Sequence, residues 1–267
     1  MEDTAAPPTR PPTLLESALR YERTPVVVLL VLLPLVSWVW IVVMAQDMNG
    51  PMTGASAWMM TAVWDAGHLA LLWAMWAVMM VGMMLPSASP MLLLYGGIAR
   101  CSATGASAAS RQIYALAVGY LVVWASFSLA AAGIQRLLAT LLFVSPMMEV
   151  TSPVVAAALL LVAGTYQLTP LKHACLRKCQ SPLGSLMSRW RSGVAGAFRM
   201  GLEHGAVCVG CRWAVMLLSF VGGVMNLVVI ATLTALVAFE KLTPFGARGA
   251  RVSGVLLIAA ALWMLVR

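Results

Sequence analysis

The sequence is short of charged residues. Asp, Glu, Lys and Arg make up only 10% of its 267 residues, and the mean hydropathy is +0.90. Soluble domains carry about 25% charged residues, so this chain lacks the charge to cover a surface that faces water. The sequence also lacks a serine-histidine-acid set, a glycine loop that cradles phosphate, paired catalytic carboxylates and internal repeats. Hydrolysis and nucleotide-driven pumping therefore have no support.

Apolar runs of spanning length fill most of the chain. A helix needs roughly 20 apolar residues to cross about 30 Å of hydrocarbon. Backbone donors and acceptors must be satisfied within lipid, and no alternation typical of a barrel is visible, so helices are predicted. The predicted fold is all-α, a polytopic transmembrane helix bundle in the lipid bilayer. Its spans, about seven, are Val26–Met44, His68–Leu85, Gln112–Gln135, Val154–Leu168, His204–Val221, Val224–Phe239 and Val252–Val266.

The cations are distributed unevenly along the chain. Alternating from a cytoplasmic N-terminus places most of the 17 Lys and Arg residues in cytoplasmic segments, as the positive-inside rule requires. The net charge of +8 is then explained without a nucleic-acid partner. We predict a cytoplasmic N-terminal tail over 1–24, partly disordered with a short surface helix, and a transmembrane helical domain over 25–267. The predicted location is the bacterial inner (plasma) membrane.

All five cysteines fall on the predicted cytoplasmic side or in the inner half of a span. They are Cys101, Cys175, Cys179, Cys208 and Cys211. The cytoplasm keeps thiols reduced, so structural disulfides are not expected. A metal or redox role is therefore the better hypothesis.

Two of these cysteines lie in the most basic loop, TPLKHACLRKCQSP. Helical spacing places Cys175 and Cys179 on one face about 40° apart, where two thiolates can chelate one ion. The flanking cations favour the thiolate form that binds metals. His173 points away from Cys175 on a continuous helix and is predicted as an optional ligand.

A second group lies in GLEHGAVCVGCRW, at the mouth of the fifth predicted span. His204, Cys208 and Cys211 stand at i, i+4 and i+7, so a helix places them on one stripe. The two groups together offer soft ligands that suit Zn(II), Cu(I) or an iron-sulfur centre. Small buried cysteines that pack without any ligand are the alternative explanation.

The second predicted span contains a methionine run, HLALLWAMWAVMMVGMMLP. Met75, Met79 and Met83 lie at i, i+4 and i+8 on one stripe. Thioethers bind Cu(I), so Met79 and Met83 are predicted as further ligands along a path for the ion. Methionine also packs well in irregular helix interfaces, and both interpretations remain open.

Four segments resemble a bacterial family of predicted metal-binding integral membrane proteins of unknown function. They are WAMWAVMMVGMMLP, LTPLKHACLRKCQSPL, GLEHGAVCVGCRWAVM and GGVMN, with Glu240 and Lys241 after them. The resemblance runs from the second to the sixth predicted span and implies metal binding in a membrane. Arg212 departs from the pattern, because many relatives carry a further cysteine there. The departure removes one sulfur and places a cation beside the site.

The predicted function is to bind a soft metal ion, Cu or Zn, at a Cys/His site on the cytoplasmic face. The protein would act in metal transport, metal delivery or metalloenzyme assembly. Its partner would be a metallochaperone or a larger membrane complex. Two alternatives stay open. The C-x-x-C pair of Cys208 and Cys211 is also typical of a membrane thiol-disulfide oxidoreductase. Small-residue helix faces also fit a non-catalytic accessory subunit.

Overall fold

A computed structural model describes residues 23–48, 50, 65–102, 106–141, 143, 145 and 149–266. These residues form helices and no strand, which confirms the all-α prediction. A π-helical segment, Val28–Leu32, joins the first two helices, and a 3₁₀ turn, Pro86–Ala88, joins the third and fourth. The helices are α1 (Arg23–Val27), α2 (Leu33–Met48), α3 (Ala66–Met84), α4 (Ser89–Ser102), α5 (Ala106–Thr140), α6 (Pro153–Leu168), α7 (Pro170–Gln180), α8 (Pro182–Arg189), α9 (Gly193–Met216), α10 (Leu218–Val221), α11 (Leu227–Leu242) and α12 (Gly246–Val266).

The described residues do not establish the seven predicted membrane spans. Five helical stretches in the described chain are long and apolar enough, and a sixth qualifies if α6 and α7 form one span. Those two helices meet at a bend of 64°. With 16 residues, α11 reaches only about 24 Å, short of a bilayer core of about 30 Å. The count of seven is therefore not confirmed.

The N-terminal tail falls almost entirely outside the described chain. Residues 1–22 and the short surface helix predicted among them are not described. The predicted cytoplasmic orientation, inner-membrane location and domain boundary at 24/25 stay predictions.

Two helices at the centre of the molecule approach each other through glycine. A Cβ added to Gly119 of α5 would lie 2.2 Å from the carbonyl oxygen of Phe198 in α9. A Cβ on Gly201 of α9 would lie 2.1 Å from the carbonyl oxygen of Leu116 in α5. Only hydrogen fits at such distances, so these glycines let the two backbones touch. The contact holds the central part of α9 against the core.

The bend after α6 turns α7 toward α9 and α11. Thr169 caps α7 by accepting a hydrogen bond from the Lys172 backbone N–H at 3.2 Å, and Pro170 occupies the first turn. At the other end of α7, Gln180 Nε2 donates to the carbonyl oxygens of Glu240 and Thr243, at 2.7 and 3.1 Å. These bonds tie α7 to the end of α11 and fix its position beside the cysteines of α9.

Candidate metal centre

Three cysteines from two helices converge in the interior. The Sγ atoms of Cys179, Cys208 and Cys211 all lie within 4.8 Å of one another. Those of Cys179 and Cys211 are 3.7 Å apart. Cys208 and Cys211 are 0% exposed and Cys179 is 3% exposed. We call these three residues the thiol cluster.

The rise of a helix explains which cysteines join the thiol cluster. Three residues advance a helix by about 4.5 Å, and four advance it by about 6 Å. Cys208 and Cys211, three apart, can therefore reach one point with Cys179 of α7. Cys175, four residues before Cys179, lies outside this group and is partly exposed. Its Sγ lies 3.6 Å from the position that a Cβ on Gly210 would take.

The thiol cluster has polar neighbours on its α5 and α11 sides. The hydroxyl of Tyr120 lies 3.3 Å from Cys208 Sγ and donates to the carbonyl oxygen of Met84 at 3.1 Å. Lys241 Nζ donates to Cys208 Sγ at 3.7 Å and lies 5.8 Å from the centroid of the Tyr120 ring. A cation beside a sulfur stabilises its thiolate form. Cys208 is thus in contact with both a hydroxyl and an ammonium group.

A buried ion network adjoins the thiol cluster. Glu240 accepts hydrogen bonds through Oε2 from Lys172 Nζ at 2.9 Å and from Arg212 Nη1 at 2.7 Å. Its other oxygen accepts from Gln167 Nε2 at 2.9 Å. The three charged side chains of this network are fully buried. Arg212 directly follows Cys211, so the network and the thiol cluster share one helix.

These charges do not balance without the sulfurs. In their ionised forms Lys172, Arg212 and Lys241 carry three positive charges, against the single negative charge of Glu240. Buried charges are expensive unless an opposite charge compensates them. Two positive charges therefore remain, and the cysteines beside them are the groups that can supply negative charge as thiolates. The site is electrostatically suited to a thiolate complex with a net charge of about −2.

The donor set fits a soft metal ion. With metal-sulfur bonds of about 2.3 Å, three sulfurs arranged around one ion stand about 4 Å apart. The observed sulfur separations match that spacing. Three sulfur donors favour Cu(I) or Zn(II) over Mg²⁺ or Ca²⁺, which bind oxygen. The thiol cluster can therefore hold such an ion with little movement of its helices.

Thiol-disulfide exchange fits the same geometry less well. Exchange requires that a partner reach the attacking sulfur. The three sulfurs of the thiol cluster are closed to solvent. Burial of all three sulfurs favours a bound ion over exchange with another protein.

The thiol cluster as defined does not include the other residues predicted as ligands. His204 is 9% exposed, its ring lies 5.8 Å from that of Tyr120, and its buried Nε2 has no hydrogen-bond partner in the described chain. His173 also has a buried nitrogen, Nδ1, without a partner there. Met79 and Met83 are buried in α3, in the hydrophobic core. No described group of three metal-ligating Cys, His, Asp or Glu side chains includes Cys175, His173 or His204.

Sequence reasoning missed the residues around the sulfurs. Glu240 and Lys241 are adjacent in the sequence but contact different partners. Glu240 pairs with Lys172 and Arg212, and Lys241 donates to Cys208. Helix geometry is the reason, because adjacent residues diverge by about 100°. Polar residues inside apolar segments were the available signal, since such residues mark functional sites by default.

Comparison with known proteins identifies the family. The family model PpoB2, described as copper chaperone, matches residues 73–264. The match includes the thiol cluster, the buried ion network and Tyr120. No curated protein and no solved structure matches the chain.

Proposed function

This chain belongs to the PpoB2 copper chaperone family, and on that premise we propose that it binds one Cu(I) ion through the thiol cluster and passes it on. The ligands are Cys179, Cys208 and Cys211. Copper is the cargo, and an acceptor metalloprotein is the expected destination. The observation that carries the proposal is three buried sulfurs already at the spacing of ligands to one ion.

Charge favours Cu(I) over Zn(II) at this site. Three thiolates around Cu(I) carry a net charge of −2, which matches the two unbalanced positive charges beside the thiol cluster. The same three thiolates around Zn(II) carry only −1. Structural Zn(II) sites also use four ligands, whereas the described chain brings three sulfurs together. The family description points to the same metal.

The outer surface supports placement in a membrane, which we propose to be the bacterial inner membrane. Large apolar side chains of α12, among them Val255, Leu256 and Trp263, are exposed. Soluble monomers rarely expose apolar patches larger than a few hundred Å². Lipid would cover this surface, and the buried polar site would then lie within the helix bundle.

Copper content tests the proposal. The full-length protein, purified in detergent and loaded with Cu(I) under reducing conditions, is expected to hold about one copper per chain, because three thiols form one site. The triple variant Cys179→Ser, Cys208→Ser, Cys211→Ser is expected to hold none, since hydroxyls are poor ligands for Cu(I). Elemental analysis after desalting measures both.

Cys175→Ser is the matched control for this test. It removes a thiol from the same helix as Cys179 but leaves the thiol cluster intact, so its copper content should equal that of the wild type. Equal copper in the wild type and the triple variant would remove the proposal. Copper-independent activity of the triple variant in cells would favour an accessory subunit instead.

A further inference from the structure

A pocket of about 510 Å³ opens beside the thiol cluster. Its volume lies in the range of ligand sites, about 300 to 1,000 Å³. Two of its lining residues directly precede cysteines of the thiol cluster: Lys178 lies before Cys179 in α7, and Val207 lies before Cys208 in α9. Both helices that supply the sulfurs therefore form walls of this pocket.

The thiol cluster needs such an opening. Its three sulfurs are closed to solvent, so an ion in water or on a carrier cannot touch them directly. His204 connects the pocket with the thiol cluster. It lines the pocket, and it lies one helical turn before Cys208 in α9. Its Nε2 has no partner in the described residues and is itself buried, so the imidazole has to turn toward the pocket before this nitrogen can take an incoming ion. Imidazole is a good ligand for copper.

The charges at the pocket favour an anionic ligand. Arg177 and Lys178 line it, are exposed, and form no ion pair in the part of the chain that the structure describes. Glu203 is the single acid among the described residues that line the pocket, and its carboxylate faces Arg191 and Arg199 at 3.6 and 3.8 Å. The two free cations thus give the pocket a positive potential that attracts anions.

Part of the remaining lining is apolar and soft. Met91 and Met200 line the pocket with their side chains largely buried. A thioether wall with cations nearby suits a ligand that combines sulfur with carboxylate. The volume of the pocket admits a peptide of about three residues and excludes a folded protein domain.

We propose, building on the function proposed above, that this pocket receives Cu(I) as its complex with a small anionic thiol. Arg177 and Lys178 bind the carboxylates of the carrier, and His204 accepts the ion and passes it to Cys208. Copper stays Cu(I) throughout. Each copper-sulfur bond to the carrier breaks as a bond to His204 or to a cysteine forms. Each released carrier thiolate takes up a proton that a cysteine thiol gives up, and any further cysteine proton passes to water.

Loading kinetics test this role. Cu(I) is offered to the reduced full-length protein either as its glutathione complex, which is anionic, or as its acetonitrile complex, which is cationic and small. Growth of the thiolate-to-copper absorption follows uptake. The variant Arg177→Gln, Lys178→Gln should load from the glutathione complex on the order of tenfold more slowly, because attraction of the carrier is lost. Loading from the acetonitrile complex and the final copper content should not fall.

The control variant is Arg111→Gln, Arg248→Gln, which removes two exposed cations outside the pocket and should load like the wild type. Equal slowing by both variants, or none by either, would overturn the pocket's role while leaving the copper site standing. Failure of the wild type to take copper from either source would instead end the function proposed above.

His204→Ala tests the relay separately. It should slow loading from both complexes and leave the final copper content at the wild-type value. Loss of the bound ion at equilibrium in this variant would make His204 a ligand of the stored ion and overturn the relay.

Discussion

Two regions of the molecule are rich in sulfur, yet they differ in what surrounds it. The thiol cluster lies beside Lys241 and the ion network of Glu240. The methionines of α3 belong to the same hydrophobic core as the three cysteines, but they lie on a helix without Asp, Glu, Lys or Arg. The comparison teaches that sulfur alone does not define a metal site here. Buried charge that only a thiolate complex would balance is the distinguishing feature.

The largest expected effect comes from removing the acid that organises the charged region. Glu240→Gln should destabilise the fold by about 3 to 5 kcal/mol, because it leaves Lys172 and Arg212 as buried cations without an anion. Unfolding of the detergent-solubilised protein measures this loss. Glu203→Gln is the control, since its pairs with Arg191 and Arg199 are partly exposed and long, and its cost should stay below about 1 kcal/mol. Similar costs for the two variants would contradict the network's role.

Removing the cation that touches the thiol cluster should weaken copper binding rather than the fold. Lys241→Gln should lower Cu(I) affinity on the order of 10- to 100-fold, as expected for a group in contact with a metal ligand. Competition with a Cu(I) chelator measures the affinity. Lys241→Arg retains the charge and should recover most of it. An unchanged affinity for Lys241→Gln would show that this charge does not act on Cys208.

The contact between α5 and α9 can be broken without touching sulfur or charge. Gly119→Ala places a methyl group against the α9 backbone and should cost about 1 to 3 kcal/mol, because neither backbone can yield cheaply. Gly133→Ala is the matched control on the same helix, since a Cβ there meets nothing within 4 Å. Thermal unfolding compares the two. A larger loss for Gly133→Ala would contradict the close approach of α5 and α9.

The smallest effect is expected in the methionine region. Met79→Leu, Met83→Leu keeps side-chain volume and should leave both copper content and affinity unchanged, because these thioethers serve packing. Elemental analysis and chelator competition check this. A loss of copper comparable with that of the cysteine variant would make α3 part of the metal site and remove the contrast between the regions.

Much of this architecture was accessible from the sequence. Each of the seven predicted apolar runs overlaps a helical stretch, because spanning length and hydropathy are local properties, although the sixth run starts at Val224, three residues before α11. The sequence showed that a helix ends before Thr169 and Pro170, because proline follows there. It did not show the 64° angle between α6 and α7. That turn decides how α7 meets α9, and it depends on packing between segments distant in the chain.

The metal site could be predicted only in part, because its assembly also depends on packing between segments distant in the chain. Spacing on one helix indicated that Cys208 and Cys211 share a face, and chemistry grouped them with Cys179. Spacing alone did not separate Cys179 from Cys175, because the choice depends on the relative height of two helices. The partners of Glu240 lie 68 and 28 residues away in the chain, beyond any local pattern.

X-ray absorption at the copper edge tests the central claim most directly. The Cu(I)-loaded full-length protein should show three sulfur neighbours at about 2.3 Å, the spacing that the three converging thiols provide. Selenomethionine-labelled protein should show no selenium neighbour of copper, because we expect the α3 methionines to serve packing. A shell of nitrogen and oxygen, fewer than three sulfurs, or a copper-selenium distance would contradict a trithiolate site at Cys179, Cys208 and Cys211.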